Sequence, residues 1–260
     1  MHWQIKVFAA VLCLNGLGLS ASAQTISPFQ PTDRPLGLPL VGPTYLDGSD
    51  AASQTFDTYK QSFLTTITTN LPEGVAFTGE NLNQLDPKRL YFMFDYAPRV
   101  YYIYEGACYN NALGVTIATV SAPTDKPTTG ASYTVFPLGH SSISPVCSSG
   151  SGARSKSEPL LAGDFVQLPT VKAGQQLAFF LMAEMDGNGN PADVYYNGNS
   201  NNPDNFQHLI AFFPSESQYI IIGFEDMLGG GDKDCNDLMF VVDIGPQNAA
   251  LLRLPTPLPQ

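Results

Sequence analysis

The stretch Gly223-Phe224-Glu225-Asp226-Met227-Leu228-Gly229-Gly230-Gly231-Asp232-Lys233-Asp234-Cys235-Asn236-Asp237 gathers the residue types that hold a hard cation. Asp232, Asp234 and either Asn236 or Asp237 offer closely spaced side-chain oxygens, and three consecutive glycines allow positive φ and inward-turned carbonyls. Glu225, before the turn, can close the shell from the opposite side. An all-oxygen donor set on a flexible loop suits calcium better than zinc or copper. Apolar runs at 219–224 and 238–244 flank the stretch, so it is expected to join two strands.

A second acidic cluster, Asp186-Gly187-Asn188-Gly189-Asn190-Pro191-Ala192-Asp193, has the alternating oxygens of an opening calcium loop. It is not an EF-hand, because Pro191 stands where the turn needs glycine and Asn197 where a bidentate Glu is needed. Asp186, Asn188 and Asn190 either complete the first site, form their own, or bind nothing. Between Glu184 and Asp243 there are eleven carboxylates against Lys233 alone, a concentration that repels itself unless a cation sits in it.

Signals for catalysis are weaker. His208 opens an apolar run and reads as a histidine that hydrogen-bonds locally to position its loop. His140 adjoins Ser141 and Ser142, but adjacency in sequence does not make a triad. Glu184 and Glu225 could act as an acid and base pair on extracellular polysaccharide. The tyrosines 91, 96, 101, 102, 104, 109, 195 and 196 could furnish a sugar-stacking surface. A carbohydrate-binding protein or polysaccharide-active enzyme is therefore the alternative to a cation-binding module, and the reading leans away from an enzyme.

The elements that must position these residues are mostly strands. Residues 24–48 are rich in Pro and Gly and read as an extended arm. Phe56, Tyr59, Phe63 and Ile67 recur at helical spacing up to Pro72, and a shorter helical turn is expected at 80–85. Strands are expected at 90–96, 100–104, 114–120, 132–136, 164–168, 176–183, 206–213, 219–224 and 238–244. The pattern predicts an all-β fold, a β-sandwich of jelly-roll or Greek-key type with one short N-terminal helix. The division expected is a signal peptide at 1–23, an N-terminal arm at 24–50, a single β-sandwich domain at 51–246 and a Pro-rich exposed tail at 247–260.

The N-terminus has one positive charge at Lys6, an apolar run over 7–19 and Ala21-Ser22-Ala23, which predicts cleavage after Ala23 and a secreted or periplasmic protein without a transmembrane segment. A net charge of −11 argues against a nucleic-acid partner. Beyond the leader, Cys108 and Cys147 sit at strand edges near polar turns and are the expected disulfide, leaving Cys235 free.

These motifs resemble a known family. The 223–226 strand end with the 229–237 loop is similar to the signature of the bacterial extracellular domain of unknown function 4114. Glu105-Gly106-Ala107-Cys108-Tyr109-Asn110-Asn111-Ala112-Leu113-Gly114 resembles a second hallmark of that family, and Asn202-Pro203-Asp204 with His208 a third. The resemblance implies a secreted or cell-surface calcium-binding β-sandwich with a structural, adhesive or matrix role, and ligands Glu225, Asp232, Asp234 and Asp237. It also implies partners such as polysaccharide, another cell-surface or matrix component, or a second copy. Cys235 stands where members often carry Phe, and the anchoring tail that often follows such domains is missing.

Overall fold

A computed structural model describes residues 24–254. The signal-peptide expectation at 1–23 and the last six residues of the expected tail lie outside the described residues.

Helix α1 (Ala51–Asn70) begins at a capping box: Asp50 Oδ1 accepts from Ser53 N at 2.8 Å, and Ser53 Oγ accepts from Asp50 N at 3.0 Å. Its apolar stripe, Phe56, Phe63 and Ile67, is buried, while threonines on the outer face bond back to carbonyls one turn earlier. The helix stops ahead of Pro72, whose ring disfavours helical backbone at Leu71.

The strands are β1 (Thr44–Tyr45), β2 (Asn83–Gln84), β3 (Arg99–Tyr104), β4 (Ala112–Thr119), β5 (Ala131–Phe136), β6 (Phe165–Gln167), β7 (Gln175–Ala183), β8 (Asp193–Tyr195), β9 (Leu209–Phe213), β10 (Tyr219–Phe224) and β11 (Leu238–Asp243). They form a seven-stranded sheet in the order β1-β6-β3-β11-β10-β9-β2 and a four-stranded sheet in the order β5-β4-β7-β8. All pairs are antiparallel.

The larger sheet is covered on both faces. Val100, Tyr102, Ile220, Ile222, Phe240 and Val242 point towards the smaller sheet and share a core with Leu113, Val115, Leu177 and Phe179. The alternate residues Tyr101, Ile103, Tyr219, Ile221, Met239 and Val241 pack instead against Phe56, Phe63 and Ile67 of α1. Phe56 lies on Tyr101 with ring centroids 3.9 Å apart. Every residue of β10 and β11 is buried as a result, which fits their nearly continuous apolar sequence, broken only by Asp243 at the end of β11.

This corrects the expected all-β sandwich of jelly-roll or Greek-key type with one short N-terminal helix. The fold is mixed α/β with two sheets, each in linear strand order with two edges, so neither closes on itself. The helix is 20 residues long and forms a covering layer. The remaining local differences have physical causes. Residues 90–96 make single bridges, Tyr91 to Gln176 and Tyr96 to Val171, in place of a ladder. Residues 83–84 form β2 at a sheet edge where a helical turn is expected. The start of the expected tail is a helix, α2 (Pro246–Leu252), with Ala249 and Leu252 in the inter-sheet core. Pro246 opens it, where the missing N–H costs nothing. Buried Asn248 ties it down by accepting from Met93 N and Phe94 N at 3.1 and 3.0 Å. The disulfide is Cys108–Cys147, as expected, and Cys235 is free and buried.

Candidate metal centre

The last paired residues of the β10–β11 ladder are Phe224 and Leu238, so Glu225 and Asp237 leave the sheet side by side. Asp237 N donates to Phe224 O at 3.0 Å, and Asp237 Oδ2 accepts from Asp226 N at 2.7 Å. These bonds fold the start of the connection onto its end. Glu225, Asp226 and Asp237 each then present an oxygen within 4.8 Å of the others, and all three residues are buried.

The surroundings supply little positive charge. Asp226 Oδ2 accepts from Asn111 Nδ2 at 2.7 Å. Glu225 Oε2 is buried and accepts no hydrogen bond. Among the described residues no ion pair includes any of the three carboxylates. Burial, reinforced by Asp232, Asp234 and Asp226, pushes the Glu225 carboxyl up to about 7. Burial, with Asp226 and Glu225 alongside, pushes Asp237 up to about 10, and burial also raises Asp226.

A second group stands beside the first. Glu73, Asp232 and Asp234 present oxygens within 4.8 Å of one another, with Asp234 buried and the other two exposed. Asp234 Oδ1 accepts from Asn236 N at 3.0 Å and Oδ2 from Gly74 N at 2.9 Å. Gly231 turns the loop at φ 43°, and a Cβ there would press on Glu225 Oε1.

His208 holds the far wall. Fully buried, it stacks on Tyr195 at 3.7 Å, and its Nδ1 and Nε2 lie 2.9 Å from Glu225 O and Asp204 Oδ2. Asp204 Oδ2 also accepts from Gly229 N at 2.6 Å, so this histidine positions the loop, the local role expected of it. A matching wall comes from the 105–111 segment. His140 Nδ1 bonds Glu105 Oε1, His140 Nε2 lies 2.8 Å from Asn110 Oδ1, and the adjacent Asn111 reaches Asp226. The histidine-adjacent Ser141 donates its backbone N–H to Glu105 Oε2 at 2.8 Å.

Glu225, Asp232, Asp234 and Asp237, expected on one centre, are thus divided between two neighbouring groups. Asp226 and Glu73, which the sequence reading does not nominate, complete them. Asp226 was open to discovery, being next to Glu225; Glu73 carries no motif and is brought in only by the exit from α1. Asp186, Asn188 and Asn190 join neither group. Asp186 Oδ1 accepts from Asn188 N at 2.8 Å and Asn190 N at 2.9 Å, and these donors, Asn190 foremost, hold its carboxyl below the usual range.

The fold and the site together define a two-sheet α/β protein with a carboxylate-rich connection at one end of its larger sheet. Residues 171–245 match the family model described as Domain of unknown function (DUF4114), so the chain contains a DUF4114 domain running from just before β7 to just after β11. Comparison with curated proteins and with solved structures finds no match.

The expected identity as a secreted calcium-binding β-sandwich with an adhesive or matrix role is corrected accordingly. The architecture is not that sandwich, and the two acidic groups suit a metal ion in general without a feature specific to calcium. No secretion signal is shown, since that expectation falls outside the described residues. The carbohydrate alternative is corrected as well. Of its eight tyrosines, Tyr101, Tyr102 and Tyr195 are buried and the other five only partly exposed, so they offer no open stacking platform. Among the described residues no helix is long and apolar enough to cross a membrane.

Proposed function

We propose that the protein binds a hard divalent cation at Glu225, Asp226 and Asp237, and that the cation fixes the 225–237 connection against the sheet. The observation that carries this reading is the buried, unpartnered Glu225 Oε2 beside two further buried carboxylates. Ionised together, three such groups repel by about 3 to 4 kcal/mol per pair at an effective dielectric near 20. A divalent cation reverses the sign of those interactions and satisfies the orphaned oxygen. Calcium is the finer reading, because the donors are all oxygen and the loop tolerates irregular coordination. The Cys108–Cys147 disulfide supports an oxidising compartment outside the cytoplasm. Pairing of β1 with β6 supports treating the 24–50 arm and the 51–246 segment as one folding unit. Calorimetric titration of the wild type and Asp237→Asn with calcium and with magnesium tests the site: the variant is expected to lose the cation that the wild type holds at Glu225, Asp226 and Asp237. Equal binding by both would overturn it.

A further inference from the structure

After α1 the chain crosses over the glycine-rich loop. Phe77 N donates to Lys233 O at 2.7 Å, and Gly74 N donates to Asp234 Oδ2 at 2.9 Å. The crossing delivers Glu73, which lies outside the 171–245 match, to Asp232 and Asp234.

Surface acids often meet without consequence, but Asn236 separates this group from such a meeting. Its side chain is 0% exposed. Nδ2 donates to Leu71 O at 3.1 Å, which fixes the direction of the amide and leaves Oδ1 facing the other way. Oδ1 is buried and accepts no hydrogen bond. It faces the same small volume as Glu73 Oε2: a Cβ added to Gly106 would overlap Asn236 Oδ1 and lie 2.8 Å from Glu73 Oε2. Absence of a side chain at Gly106 keeps that volume free. A buried amide oxygen with no donor, turned towards a carboxylate that adjoins two others, is an arrangement a cation completes.

We propose that Glu73, Asp232, Asp234 and Asn236 Oδ1 form a second cation position that pins the segment after α1 to the glycine-rich loop. This goes beyond the function proposed above and does not require the buried centre to be occupied. The ligand class is a hard divalent cation, since all four donors are oxygens. The exposed carboxylates of Glu73 and Asp232 leave its outer side to solvent, so it exchanges ions faster than the buried centre.

The test uses the whole chain with calcium as the probe. Native mass spectrometry counts bound ions, and hydrogen exchange follows the backbone at 71–79 with calcium and with chelator. Glu73→Gln is expected to lose one ion relative to wild type and to lose the calcium-dependent slowing of exchange at 71–79, at least tenfold in wild type. Asp237→Asn is expected to keep that slowing, so failure of the buried centre and failure of this position are separable. Glu73 is exposed, so its replacement leaves the core intact; far-ultraviolet circular dichroism confirms it. The proposal is overturned if Glu73→Gln retains either the wild-type ion count or the calcium-dependent protection.

Discussion

The 186–190 turn and the 225–237 connection are both acidic, glycine-bearing loops at strand ends, and they treat their carboxylates in opposite ways. Asp186 is exposed and takes two backbone N–H donors from its own turn, so its charge is already satisfied. Glu225, Asp226 and Asp237 are buried together, and one oxygen of Glu225 has no donor at all. Carboxylates elsewhere in the molecule sharpen the contrast. Asp50 is gripped by Arg99 through two bonds of 2.8 and 2.7 Å, which hold its carboxyl well below the usual range. Asp164, 0% exposed, is paired in the same way with Arg154. Asp50 and Asp164 thus each have an arginine, while Glu225, Asp226 and Asp237 have none. Acidity alone does not mark a cation site; burial without compensation does.

The 225–237 connection is most sensitive at Gly231. Valine there would force a β-branched residue into positive φ and against Glu225, so Gly231→Val is expected to cost about 3 kcal/mol with or without cation. Chemical denaturation of the variant measures it.

Asp237→Asn should act with opposite signs in the two states. The amide keeps an acceptor for Asp226 N and removes a group that must take up a proton to be buried without the cation, so in chelator at neutral pH the variant should be more stable than wild type. With cation at a hundred times the wild-type dissociation constant it should lack the stabilisation of about 2.7 kcal/mol that wild type gains. Melting curves with and without calcium read both effects, and destabilisation in both conditions would refute the account.

Acidity gives the next test. The folded, cation-free protein holds protons on Glu225 up to about 7 and on Asp237 up to about 10, against ordinary values of 4.5 and 3.8. The folded state thus binds more protons than the unfolded state across that window. Stability in chelator is full below the ordinary values and falls as pH rises through 7 and on towards 10, by as much as about 1.4 kcal/mol per pH unit for each proton. Saturating cation should flatten the dependence. Melts at stepped pH in chelator and in calcium check it.

The smallest effect belongs to the other loop. Asp186→Asn should leave the cation-induced change in melting temperature unaltered, because its carboxylate serves only its own turn.

Much of this was legible in the sequence. The apolar runs at 219–224 and 238–244 announced two buried strands with the acidic connection between them, and the polar turn sequence around Cys108 and Cys147 indicated their bridge, although Cys147 lies well beyond the end of β5. The layer arrangement was not, because an unbroken apolar strand does not say whether a sheet or a helix covers each face. The stripe of Phe56, Phe63 and Ile67 signalled α1, but not that a 20-residue helix would cover the larger sheet. At the site, the close spacing of Asp232, Asp234 and Asp237 suggested one centre. The Asp237–Asp226 backbone bond instead drew Asp237 back to the ladder end, while Asp234 turned towards Gly74. Glu73 and Asn111 were invisible because long-range packing alone brings them in.

Completion of the buried carboxylates of the 225–237 connection by a cation can be decided in one melting experiment. Wild-type protein is unfolded thermally in excess chelator and again in millimolar calcium at neutral pH. The account predicts a rise of several degrees in Tm, scaling with the logarithm of free calcium once the site is saturated. A Tm identical in chelator and in calcium would contradict it.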